Sequence, residues 1–208
     1  MLKLNQITKQ YKAGKPIFSN ITREFKPGKG YGLVGPNGSG KTTFLRVLSV
    51  NSFPTSGSVM FKDLDIHQHP VQYLKHVGLV HDEETLPRHL TASELLEWIV
   101  RSRKLWKDGD SSDQINALLD KLALEERDEP IGTYSTGMKK KTQIAAAFIV
   151  EPDILIMDEP LRGLDQSTRE IVFKMIVEAK SKKTLILMAS HSMRSVNEIF
   201  DEIVKFPL

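Results

Sequence analysis

The chain has 208 residues, 40% hydrophobic and 26% charged, with a formal net charge of +3. That size and balance describe a globular protein near the usual one-domain scale of ~150 residues, with enough chain for a large core. The absence of cysteine excludes disulfides, thiolate metal sites and a cysteine nucleophile, and so small a net charge does not argue for nucleic acid. The longest apolar run, 144–150, is far short of the ~18 residues a membrane span needs. Residues 1–6 lack the apolar stretch of a secretory signal. These features predict a cytoplasmic chain whose contact with a membrane comes through a partner.

Residues 1–34 read as strands. Leu2, Leu4 and Ile7 alternate with polar residues, Phe18, Ile21 and Phe25 follow loosely, and Pro27-Gly28 marks a turn. Residues 31–34 form a short buried strand that runs into a glycine-rich turn, and 42–49 carry helical spacing with Phe44, Leu45 and Leu48 on one side. The middle, about 85–135, has a helical period. Thr91 and Glu94 have the capping-box spacing, with Leu95, Leu96, Ile99 and Val100 forming an apolar face behind them. A second box, Ser111 with Gln114, precedes Ile115, Leu118, Leu119 and Leu122, and 107–110 turn between the two helices. Beyond it, helix and strand alternate: helix 142–150 stopped by Pro152, buried strand 154–157, helix 167–180, buried strand 184–189 and helix 193–200. Such alternation predicts a parallel sheet and an α/β fold.

Gly35, Pro36, Asn37, Gly38, Ser39, Gly40, Lys41 and Thr42 fit the pattern G-x-x-x-x-G-K-[ST], between a predicted strand and a predicted helix. Glycines let backbone N–H groups wrap a phosphate with no Cβ in the way, and the helix that follows aims its positive end at the same anion. Lys41 is expected to reach the β- and γ-phosphates, and the Thr42 hydroxyl to ligate Mg²⁺. Such a site also needs a carboxylate for the metal and a group that orients water. Asp158 and Glu159, at the exit of strand 154–157, supply both. By the strand period of two, Glu159 points away from Asp158 and acts as general base.

With these motifs in place the sequence resembles the ATP-binding cassette (ABC) ATPases, the nucleotide-binding subunits of ABC transporters, over essentially its whole length. Tyr134-Ser135-Thr136-Gly137-Met138 falls where the family's signature motif falls, Gly163-Leu164-Asp165 resembles the D-loop, and Ser190-His191 resembles the switch histidine. Tyr11 lies where the family places an aromatic that stacks on adenine. The resemblance implies a P-loop NTPase of ABC ATPase type, a single domain over 1–208. It would have a parallel core sheet, a small antiparallel β lobe and a helical lobe at about 85–135. It also implies ATP and Mg²⁺, hydrolysis with Lys41, Glu159 and His191 in the catalytic set, and nucleotide contacts from Tyr11, residues 35–43 including Thr43, Ser135, Gly137 and Asp165. The implied metal residues are Thr42, Asp158 and Asp82. Two such domains would pair head to tail, as homodimer or heterodimer, each signature helix aiming its N-terminus at the other chain's γ-phosphate. A transmembrane permease on a separate chain would hold the pair at the inner face of the cell membrane. No nucleic-acid partner is expected.

Two positions depart from the family pattern. After the strand at 77–80 the family carries Gln, or Glu in some members. Here His81-Asp82-Glu83-Glu84 puts Asp82 at that position, with Glu83 a one-residue alternative. The second glycine of the signature is Thr136, whose branched Cβ restricts the backbone. That form, with Met138 and lysines at 139–141, looks like the exporter-type ATPases. The alternatives are a soluble ABC ATPase acting on ribosomes or DNA, a class that usually carries two cassettes, and a small-molecule kinase. The kinase reading leaves Ser135, Gly137, Asp165 and His191 unexplained.

Overall fold

The computed structural model describes residues 1–82, 85–190 and 198–208. Strand β1 (Leu2–Lys12) turns through Gly14, at φ 74°, into the antiparallel strand β2 (Lys15–Phe25). Its other edge pairs with β4 (Ser56–Phe61), which pairs in turn with β5 (Leu64–Asp65), giving the order β2-β1-β4-β5. The alternating Leu2, Leu4 and Ile7 are all buried, as are Phe18 and Phe25 of β2. Both aromatics meet Phe44 of helix α1 (Lys41–Leu48) edge to face, at centroid separations of 5.5 and 6.3 Å. The small sheet thus packs on the helix that follows the glycine-rich turn and anchors it.

The second sheet contains β3 (Gly30–Val34), β6 (Val77–Val80), β7 (Ile154–Asp158), β8 (Leu185–Ala189) and β9 (Glu202–Lys205), in the order β6-β7-β8-β3-β9. Every neighbouring pair is parallel, so the exits of β3, β6 and β7 share one edge of the sheet. That edge is where open α/β sheets place ligands. Strands β7 and β8 are buried at every residue, as central strands covered on both faces are.

Short α2 (Pro70–Leu74) precedes β6. Helices α3 (Ala92–Ser102), α4 (Asp110–Lys121) and α5 (Thr136–Phe148) form the helical part of the chain, and α6 (Gln166–Ser181) leads into β8. The first capping box forms as expected: Thr91 Oγ1 accepts the Glu94 amide at 3.1 Å, and the Glu94 carboxylate accepts the Thr91 amide at 2.9 Å. Leu95 and Leu96 of α3, Leu119 of α4 and Ile144 of α5 share one buried cluster with Leu155 and Met157 of β7. Gly78 lets α5 approach the sheet, since a Cβ there would stand 2.3 Å from the Ala147 carbonyl oxygen. The Arg103 guanidinium, just past α3, donates to the Lys75 and Val77 carbonyls at 2.9 Å each and joins the helical part to β6.

Several local expectations differ from this structure. The second capping box does not form. Helix α4 starts earlier, behind Gly109 at φ 82°, and Ser111 lies inside it with its hydroxyl accepting the Lys107 amide at 2.9 Å. Helix α5 starts at Thr136 behind the Ser135 cap, where the signature resemblance puts a helix start, and not at 142, where the apolar period begins, because its first turns carry the polar run Lys139–Lys141. Residues 193–197 of the expected last helix lie outside the described residues, and 198–200 are a turn and an irregular residue rather than helix. Strand β9 follows, paired to β3 and buried only at Val204. An edge strand this exposed has no apolar alternation to announce it. Among the described residues, no helix is long and apolar enough to cross a membrane.

Candidate nucleotide-binding site

The turn between β3 and α1 has the geometry an anion cradle requires. Gly38 and Gly40 take φ 76° and 100°, and a Cβ on Gly40 would stand 2.6 Å from Ile17 Cγ2. Helix α1 has no side-chain cap, so the amides of Lys41, Thr42 and Thr43 open its first turn without the Ser or Asp acceptor that usually occupies a helix start. Lys41 is 6% exposed, and its ammonium donates back to the carbonyls of Gly35 at 2.8 Å and Pro36 at 3.0 Å, which braces the turn. The Ser39 hydroxyl oxygen is buried without a hydrogen-bond partner. Uncapped amides, a buried cation and an unsatisfied hydroxyl together suit a phosphate chain.

Across the sheet edge, Asp158 closes β7 and borders the cavities beside Thr42. Burial pushes its carboxyl up from the ordinary range, and the nearby Asp82 charge adds to that. The neighbouring Thr42 hydroxyl and the Lys41 and His81 charges oppose it. Glu159 does not continue the strand. Its backbone turns to φ 47°, held by its amide on the Ala189 carbonyl at 3.0 Å, so the period of two stops at Asp158. Asp158 and Glu159 therefore border the same cavity rather than opposite faces.

That cavity measures about 430 Å³ and is lined by Ile17, residues 37–43, Asp82, Asp158, Glu159 and Arg162. It brings together most of the positions singled out in the sequence. A second cavity of about 310 Å³ adjoins it through Thr42, Asp82 and Asp158, and reaches Asn51 and His81. One hydroxyl and two carboxylates around the shared wall are the hard oxygen donors that Mg²⁺ takes, so these residues fit that ion.

Other expected positions lie apart. Tyr11 is 62% exposed on β1, with the Lys9 ammonium 4.7 Å from its ring centroid, and does not line the cavity. Ser135 caps α5, its hydroxyl accepting the Met138 amide at 3.3 Å. Gly137 faces the Gly163 carbonyl, where a Cβ would stand 3.1 Å away. Neither Ser135 nor Gly137 lines the cavity. Asp165 caps α6, accepting the Thr168 amide at 2.8 Å and the Ser167 hydroxyl at 2.6 Å; those bonds hold its carboxyl well below the usual range. His191 and the alternative Glu83 lie outside the described residues. Sequence reasoning missed Arg162, which lines the cavity and pairs with Asp82. A single arginine in a loop carries no spacing signal, and only the fold brings it to residue 82.

Residues 18–162 match the ABC transporter family. The chain is 32% identical over 205 residues to the uncharacterized ABC transporter ATP-binding protein YcbN of Bacillus subtilis, with 98% of this chain and 65% of that protein covered. It is 31% identical over 204 residues to the Nod factor export ATP-binding protein I of Cupriavidus metallidurans, covering 98% of this chain and 67% of that one. The chain thus spans about two thirds of the length of these two curated relatives. Among solved structures, an ATP binding subunit of an ABC transporter superposes with a TM-score of 0.91 at 24% identity, covering 99% of this chain and 85% of that one. Fold and phosphate turn define a P-loop nucleotide-binding protein with a helical subdomain. The chain belongs to the ABC transporter family, as an ATP-binding subunit.

Proposed function

We propose that the chain hydrolyses Mg-ATP and couples that reaction to export of a substrate through a transmembrane permease on a separate chain.

ATP is held by residues 35–43, with Tyr11 stacking on the base. The observation that carries this reading is that Lys41 and Asp158, from separate motifs, border one cavity together with Thr42. Export as the direction rests on the Thr136 form of the signature and on the printed name of the Cupriavidus relative.

In this reading Lys41 turns from the loop carbonyls to the β- and γ-phosphate oxygens, and the first amides of α1 hold the same anion. Thr42 and Asp158 hold Mg²⁺, with Asp82 beside them. When bound, the ion neutralises charge on the phosphates. Glu159 accepts a proton from the water that attacks the γ-phosphorus, and the γ-phosphate leaves with the water oxygen while ADP departs. His191 hydrogen-bonds the γ-phosphate. Ser135 and Gly137 act on the site of a second copy or a related chain, which suits their absence from the lining of this chain's own cavity. The whole of 1–208 acts as one ATPase domain, at the cytoplasmic face of the membrane that holds the permease.

The test is steady-state ATP hydrolysis by the purified chain, alone and with its permease, in Mg²⁺ and in EDTA. Mg²⁺-dependent turnover supports the reading. Nucleotide binding with no turnover in either setting overturns the hydrolytic part of it.

A further inference from the structure

Asp82 follows β6 by two residues, and β6 lies beside β7, so Asp82 sits next to the exit that carries Asp158 and Glu159. Arg162 ends the turn that begins at Glu159, its amide bonded to the Glu159 carbonyl at 3.2 Å. Through Nη1 it donates to both Asp82 carboxylate oxygens, at 3.1 and 3.2 Å. One nitrogen shared between two oxygens is a looser arrangement than the two-nitrogen fork by which arginine grips carboxylates most tightly. The side chains are 71% and 38% exposed, so the pair is held in high dielectric and exchanges easily.

The backbone beside this pair is tethered independently. The His81 carbonyl accepts the buried Lys140 ammonium of α5 at 2.7 Å, and the His81 ring meets the Asn51 amide at 3.1 Å. Arg162 therefore acts on the Asp82 side chain, while other contacts hold the chain at 81. Asp82 and Asp158 border both cavities and repel one another when ionised. Two kinds of cation can relieve that repulsion: the guanidinium already present, or a divalent ion between the carboxylates.

We propose that Arg162 is a positioning residue that holds the Asp82 carboxylate and competes for it with the divalent cation of the nucleotide site. Cation binding draws Asp82 off Arg162, and the cost of parting the pair lowers the cation affinity. The inference rests on the nucleotide-binding reading above and adds a determinant of metal affinity outside the phosphate turn.

Mn²⁺ titration followed by electron paramagnetic resonance, on the full chain with one equivalent of a non-hydrolysable ATP analogue, reads this without turnover. Arg162→Gln is expected to tighten Mn²⁺ binding about 2- to 5-fold, the range set by exposed ion pairs. Arg162→Lys, which keeps the charge, stays close to the unaltered chain. In an Asp82→Asn background, where the carboxylate is gone, Arg162→Gln produces no further tightening. An unchanged midpoint in Arg162→Gln, or equal tightening with and without Asp82, overturns the proposal. Failure of the unaltered chain to bind the analogue would instead overturn the nucleotide-binding reading.

Discussion

Thr42, in the first turn of α1, and Asp158, at the tip of β7, border the same two cavities. The two residues are 116 apart in sequence (158 minus 42). Parallel pairing of β7 with β8 and of β8 with β3 brings both exits to one edge. That shared wall offers a hydroxyl and a carboxylate, as a shared magnesium ion requires.

Lys41→Ala removes the buried ammonium that braces the turn. A lost charge-assisted contact to phosphate is worth roughly 1.5–3 kcal/mol, so ATP affinity should fall about 10- to 100-fold. Isothermal titration calorimetry checks it, and unchanged affinity would remove Lys41 from the cradle.

Glu159→Gln keeps the shape of the side chain and removes its basicity. Turnover should fall by about 10²- to 10⁴-fold, the usual worth of a general base, while ATP still binds. Size-exclusion chromatography in Mg-ATP should then show a dimer that the unaltered chain forms only transiently.

Tyr11→Ala tests the exposed aromatic. Base–aromatic stacking contributes ~1–3 kcal/mol in nucleic-acid complexes, so KM for ATP should rise about 5-fold or more while kcat is retained. A fall in kcat with KM unchanged would show that Tyr11 acts on something other than base binding.

Asp201 offers a check on the fold. Burial alone would raise its carboxyl, but the Gly30 amide at 2.8 Å and the Lys180 and Lys29 ammonium groups bring it down to about 2. An unfolded aspartate titrates near ~3.9, so this contribution is complete above that pH and is lost as pH falls through about 2. Asp201→Asn should cost about 1 kcal/mol at neutral pH, after allowance for solvent screening, and should flatten the loss of stability between those values. Urea unfolding at several pH values measures it.

What could be read in the sequence was local. The phosphate turn, the Asp158-Glu159 pair and the Thr91–Glu94 cap each lie within a few residues and carry their own spacing. The Ser111 box has the same spacing and fails, because Gly109 starts the helix first and draws the hydroxyl back to Lys107. Strand β9 depends on partners far away in sequence: its alignment on β3 follows the Asp201 bond to Gly30. The Asp82–Arg162 pair likewise spans 80 residues and has no spacing of its own. Glu159 departs from the sequence expectation for a different reason: strand alternation ends at Asp158, because the backbone turns to φ 47° at Glu159.

The most direct measurement is a crystal structure of the Glu159→Gln chain grown with Mg-ATP. The triphosphate should lie within hydrogen-bonding distance of Lys41 Nζ, with the ion between the Thr42 hydroxyl and the Asp158 carboxylate. A nucleotide bound away from the β3–α1 turn, or a metal held without Asp158, would contradict the account.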